Sequence, residues 1–254
     1  MNNSLFDYTL HLADNALILG HRNSEWTGHG PILEQDIALS NIALDLVGQA
    51  RNFYQYAAQL TGDHSTEDAL AYLRGPAEFK NCLLVEQSNG DWAKTISRQF
   101  IFSVYQYYLY QQLQKGENKH ISSIAEKALK EVTYHVRWSS EWVIRLGDGT
   151  IESNRRMQNA LNELWEFTDE LFIPAPYERE LGKNGIAIDL EVIKSNWNEK
   201  VNAVLLEGTL SLLTADRRDP KKVLFGKEGQ HSQNLNDILT EMQFLQRAYP
   251  GCEW

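Results

Sequence analysis

The chain has 254 residues, 43% hydrophobic and 23% charged, with a formal net charge of −10 and a pI near 5.2. This is ordinary globular composition, with length for one large domain or two small ones and a substantial core. The acidic balance argues against broad binding to nucleic acid or an anionic membrane, though it leaves room for a local basic site. Two distant cysteines, Cys82 and Cys252, point to a reduced, cytoplasmic protein without a zinc site. The first residues, Met1 to Tyr8, have neither a basic start nor a long apolar run, so no signal peptide or membrane span is expected.

Helical periodicity dominates. Leu5, Leu12, Ala16 and Leu19 mark a first helix over about 3–21. A Gly28–Pro31 corner opens a second, with Pro31 expected in its first turn, running to about Leu60 and stopping at Gly62. Its stripe is Leu39, Ile42, Leu46, Gln49, Phe53, Ala57 and Leu60, with Gln49 its strongly polar member. Residues 66–85 read as one or two short helices broken near Gly75-Pro76. Asp91 is placed to cap a long helix over about 92–115, with Ile96, Ser103, Tyr107 and Tyr110 on its inner face. The next runs over about 119–146, with the stripe Ile121, Ala125, Ala128, Val132, His135, Ser139, Trp142 and Leu146. A fifth is expected over about 151–172, stopping before Pro174 and Pro176. Asp189 caps a sixth reaching about Leu213, Asp216–Gln230 reads as a surface loop, and Ser232 caps a last helix ending near Tyr249-Pro250. Four long helices followed by packing helices predict one all-α domain over 1–254, a ferritin-like four-helix bundle with additional C-terminal helices.

Such bundles hold di-iron centres with Glu-x-x-His pairs, because side chains at i and i+3 project together. Here the inward pairs read Leu46-x-x-Gln49 and Val132-x-x-His135. Several segments also resemble one family: Trp26-Thr-Gly-His-Gly-Pro31, Asp45-Leu-Val-Gly-Gln49, Lys130-Glu-Val-Thr-Tyr-His135 and Leu239-Thr-Glu-Met-Gln-Phe-Leu-Gln-Arg247. Together they are similar to the PaaA/PaaC family, subunits of the bacterial phenylacetyl-CoA epoxidase (ring-1,2-phenylacetyl-CoA monooxygenase). The likeness covers nearly the whole chain and is nearest the PaaC branch, which accompanies catalytic PaaA.

The resemblance implies six ligand positions, which on this chain hold Ala16, Leu46, Gln49, Ser103, Val132 and His135. Only His135 keeps a ligand side chain, so these positions are expected to be packed core. The family implies a non-catalytic structural subunit that binds and stabilises a PaaA-type partner, with no catalytic residue, cofactor or metal of its own. Di-iron is then expected in the partner, and FAD and iron–sulfur in a reductase that supplies electrons for aerobic phenylacetate breakdown. Other epoxidase subunits complete the complex, and the isolated chain could form a homodimer. His135 is read as a core histidine, with Gln49 as its hydrogen-bond partner, direct or through water. Asp45 and Glu131 are further polar-core candidates, expected to pair with Arg51, Arg137 or nearby cations.

Two other classes stay open. One is a metal-binding ferritin-like oxygenase with a rearranged set from Asp14, Asp45, Glu131 and His135. A residue beside a helical seam is rotated by about 100° from it, which weighs against this. The other is a ferritin-like scaffold of a different complex. Tyr105, Tyr107, Tyr108 and Tyr110 fit either a ligand or subunit surface or a tyrosine-rich core. Arg217, Arg218, Lys221, Lys222 and Lys227 could meet CoA phosphates or an acidic partner, but read better as a solvated loop. No nucleophile elbow, phosphate loop or zinc spacing accompanies the remaining Ser and His residues.

Overall fold

The first long helix, α1, spans Asn3–Ser24 and is buried all round from Tyr8 to Gly20. It packs along α2, Leu33–Thr61, whose expected stripe points inward: Leu39, Ile42, Leu46, Phe53 and Ala57 are all buried. Gly20 lies where the two helices come closest; an added Cβ would lie 3.1 Å from Val47 Cγ2 and 3.3 Å from the Ala43 carbonyl oxygen. The N-cap of α2 is Ile32, so Pro31 precedes the helix rather than entering its first turn. The α2 C-cap is Gly62 at φ 69°, the left-handed conformation that glycine adopts without steric penalty.

The computed structural model describes residues 3–62, 65–183, 188–212, 225–250 and 252, and all regular structure among them is helical. The chain divides into two compact units. The first comprises residues 1–87, 175–184 and 224–254. Besides α1 and α2 it holds α3 (Glu67–Tyr72), a 3₁₀ turn at Pro76–Glu78, and α4 (Leu83–Glu86), so the break near Gly75-Pro76 is where the sequence placed it.

The second unit comprises residues 88–174 and 185–223. Its core pairs α5 (Trp92–Leu113) with α6 (Lys119–Gly147), joined by α7 (Ile151–Leu164). Caps fix all three starts: Asp91 accepts from Lys94 N (3.0 Å), Asn118 from Ile121 N (3.1 Å) and Thr150 from Ser153 N (3.1 Å). The helix expected to reach 172 ends at Leu164 and continues as 3₁₀ turns over Trp165–Phe167 and Asp169–Phe172. These turns set Trp165 and Phe172 against Trp197, at ring-centroid distances of 5.4 and 5.3 Å.

The first unit resumes with α8 (Pro176–Lys183), which packs on α1 and is not expected from the sequence pattern. Pro176, expected to act as a stop with Pro174, instead occupies the first helical turn, where a missing N–H costs nothing. In the second unit, α9 (Leu190–Glu207) ends earlier than expected. Thr209 turns left-handed at φ 55° and Leu210 N returns to the Leu205 carbonyl at 2.8 Å, which closes the helix. The final expected helix is two, α10 (Gln233–Met242) and α11 (Phe244–Ala248), parted at Gln243. The Gln243 side chain donates to the Ala71 and Arg74 carbonyls at 3.2 and 3.0 Å.

Candidate functional site

All six expected ligand positions are buried. Ala16 lies on α1, and Leu46 and Gln49 on α2, within the first unit. Ser103 on α5, and Val132 and His135 on α6, belong to the second. Ser103 Oγ accepts from Gln99 Nε2 at 2.7 Å. The His135 carbonyl accepts from Ser139 Oγ at 2.6 Å, and the ring lies 6.4 Å from Tyr134. A di-iron centre needs about four carboxylates and two histidines. Ala, Leu, Gln, Ser, Val and one His do not fit it. Among the described residues, no three His, Cys, Asp or Glu side chains group as metal ligands.

The acids of the alternative set are placed differently. Asp14 is fully buried and sits in a network that sequence reasoning missed. Arg74 donates to both of its oxygens, Nη1 to Oδ2 at 3.1 Å, while Tyr54 OH donates to Oδ1 and Lys80 N to Oδ2 at 2.7 Å. Burial works against the Arg74 charge, but Asp14 and Tyr54 outweigh it and raise its pKa. Burial and Asp14 together push the Tyr54 hydroxyl well above its ordinary value. Asp45 and Glu131 are half-buried. Arg51 lies 3.5 Å from Glu67 and Arg137 3.9 Å from Glu141.

Around the same centre, α1 supplies hydrogen bonds to a buried irregular segment, residues 79–82. Buried backbone groups outside helices need such partners. Asn15 Oδ1 accepts from Cys82 N at 2.9 Å, Asp14 accepts from Lys80 N, and His11 Nδ1 meets the Lys80 carbonyl at 2.7 Å. From the other side, His231 Nε2 meets the Phe79 carbonyl at 2.9 Å and its Nδ1 meets Glu86 Oε2 at 2.8 Å. Glu86 also accepts from Ser232 N (2.7 Å) and Asn81 Nδ2 (3.0 Å). Both His231 nitrogens face acceptors, which favours the imidazolium. Burial opposes that charge, but Glu86 overcomes it and raises the pKa.

Lys227 corrects the basic-loop expectation. It is buried, and its Nζ donates to Glu178 Oε2 at 3.1 Å. Burial alone would raise the Glu178 pKa, but Lys227 and His11 hold it below the usual carboxylate range. His11, desolvated and beside Lys227, is lowered to about 4. Arg217, Arg218, Lys221 and Lys222 lie outside the described residues. The four tyrosines divide between the two readings: Tyr105 and Tyr110 are core, and Tyr107 and Tyr108 are half-buried. Burial raises the Tyr110 pKa, and nearby Glu131 adds to the rise. No helix among the described residues is long and apolar enough to cross a membrane.

Two comparisons with known proteins bear on this geometry. The PaaA_PaaC family model, described as phenylacetic acid catabolic protein, matches residues 1–254. The chain is also 44% identical over 255 residues to the C subunit of the 1,2-phenylacetyl-CoA epoxidase of Escherichia coli (strain K12), covering 99% of this chain and 100% of that one.

Proposed function

This chain belongs to the PaaA/PaaC family, and we propose that it is the non-catalytic structural subunit of a multicomponent 1,2-phenylacetyl-CoA epoxidase. Its all-α, ferritin-like fold binds and stabilises the catalytic di-iron subunit of PaaA type. The carrying observation is the set Ala16, Leu46, Gln49, Ser103, Val132 and His135, buried side chains unable to ligate two irons. Whole-length likeness to the C subunit of an epoxidase supports the same reading. In this proposal residues 1–254 act as one ferritin-like domain, since one family match spans both units. Gln49, His135, Asp45 and Glu131 serve the core rather than chemistry. Iron belongs to the partner, FAD and iron–sulfur to the reductase, and the complex works in the cytoplasm during aerobic phenylacetate breakdown.

The test is expression of this chain alone, the PaaA-type subunit alone, and both together. Co-expression is expected to raise the partner's solubility, iron content and epoxidation, with iron absent from this chain purified alone. Stoichiometric iron in this chain alone, or an active partner indifferent to its presence, refutes the proposal.

A further inference from the structure

Helix α2 is apolar on two faces. Its inner face packs within the first unit. Its outer face carries Leu33, Ile37, Leu44 and Val47, which are 71, 52, 69 and 40% exposed. Steps of four, seven and three residues keep them on one side of the helix, along about 21 Å of its axis. Ile32, also exposed, extends the stripe to the N-cap. Exposed Ile151 and Leu206 stand singly on other helices, as on most protein surfaces. A contiguous exposed apolar stripe marks an interaction surface.

Gly48, at the end of this stripe, adds a second observation. A glycine inside a helix weakens it relative to alanine. Gly20 is explained within the chain by the close approach of α2, but a Cβ on Gly48 would meet nothing within 4 Å. Nothing among the described residues fills the notch, which suits the backbone of a neighbouring helix. Charge narrows the occupant. Glu34 and Asp45 lie about 100–120° round the helix from Leu33, along one edge of the stripe. A two-fold antiparallel copy of this chain would set acidic edge against acidic edge, at −10 net charge each. A different helix with basic residues on that edge is attracted.

We propose that the outer face of α2, from Leu33 to Gly48, is the docking surface for an apolar, basic-edged helix of the catalytic subunit. This rests on the epoxidase-subunit reading. The test measures binding of the purified catalytic subunit to the full chain as wild type, Leu44→Asp, Gly48→Leu and the control Leu206→Asp, each checked for unchanged folding by circular dichroism. Wild type and Leu206→Asp are expected to bind alike, Leu44→Asp at least tenfold more weakly, and Gly48→Leu more weakly while melting no lower. If wild type fails to bind, the epoxidase-subunit reading falls and the docking face with it. If wild type binds and Leu44→Asp binds equally well, only the docking face falls. Equal weakening by Leu206→Asp overturns it too, as does a wild-type homodimer that Leu44→Asp dissociates, which would make the occupant a second copy.

Discussion

Removing the Arg74 guanidinium with Arg74→Met leaves the fully buried Asp14 carboxylate with only Tyr54 OH and Lys80 N as hydrogen-bond donors. The same change strips donors from the Glu78 carbonyl (2.9 Å) and the Leu70 carbonyl, and a cation 4.2 Å over the Phe79 ring. Breaking a buried pair from one side costs about 3–5 kcal/mol, chiefly through the charge left behind. For a chain of this size that corresponds to a fall in Tm of roughly 6–20 °C. Urea and thermal denaturation followed by circular dichroism measure both quantities. Adding Asp14→Leu removes the stranded charge, so the double variant is expected to lose less than the sum of the singles, with about 1–3 kcal/mol of coupling. A loss below about 1 kcal/mol for Arg74→Met, or strict additivity in the double variant, would refute the claim that this pair organises the first unit.

Stability should fall on both sides of about pH 6.5. His231 has a raised folded pKa, so its contribution is full below the unfolded value and is lost as pH rises through the folded one. His11 is lowered to about 4, so stability declines as pH drops from 6.5 toward 4, with His21 shifted the same way. Each group limits the slope to about 1.4 kcal/mol per pH unit, and His231→Gln should flatten the alkaline side alone in pH-dependent urea titrations. Gly226→Ala places a Cβ 2.3 Å from the Asn81 carbonyl oxygen, and Gly147→Ala one 2.2 Å from that of Gly208. Each should cost about 1–3 kcal/mol or more in denaturant midpoints, and a neutral result would contradict the packing described. His135→Ala should destabilise the chain by on the order of 2 kcal/mol while turnover per assembled epoxidase stays intact. Lost turnover with normal folding and assembly would give His135 a catalytic part.

Long periodic helices were legible because their stripes and caps agree: Asp91 and Asp189 stand where an N-cap is needed, and the structure uses both. Helix ends set by tertiary contacts were not. Nothing local announces that Trp165 and Phe172 must meet Trp197, or that Gln243 parts α10 from α11 by reaching back to Ala71 and Arg74. The six ligand positions came from the family resemblance, and periodicity supported their burial by setting most of them on apolar stripes. The Asp14–Arg74 pair is sixty residues apart in sequence, and Lys227 and Glu178 forty-nine, so no spacing rule joins them. Lys227 looked like one more loop cation for that reason. In Pro176 the signal was present but ambiguous, since proline both ends helices and begins them.

The irregular segment 79–82 lies between α1 from the beginning of the chain and His231 from its end. Synthesis on the ribosome therefore delivers its two sets of partners more than a hundred residues apart. The second unit, ending at residue 223, is complete before His231 and Lys227 emerge, whereas the first cannot close until they do. Until then Glu86, Phe79 and Glu178 await counterparts not yet made. A nascent or C-terminally clipped chain would offer chaperones and proteases an open first unit while the second is already finished, so the last thirty or so residues govern how much of this protein survives to be assembled.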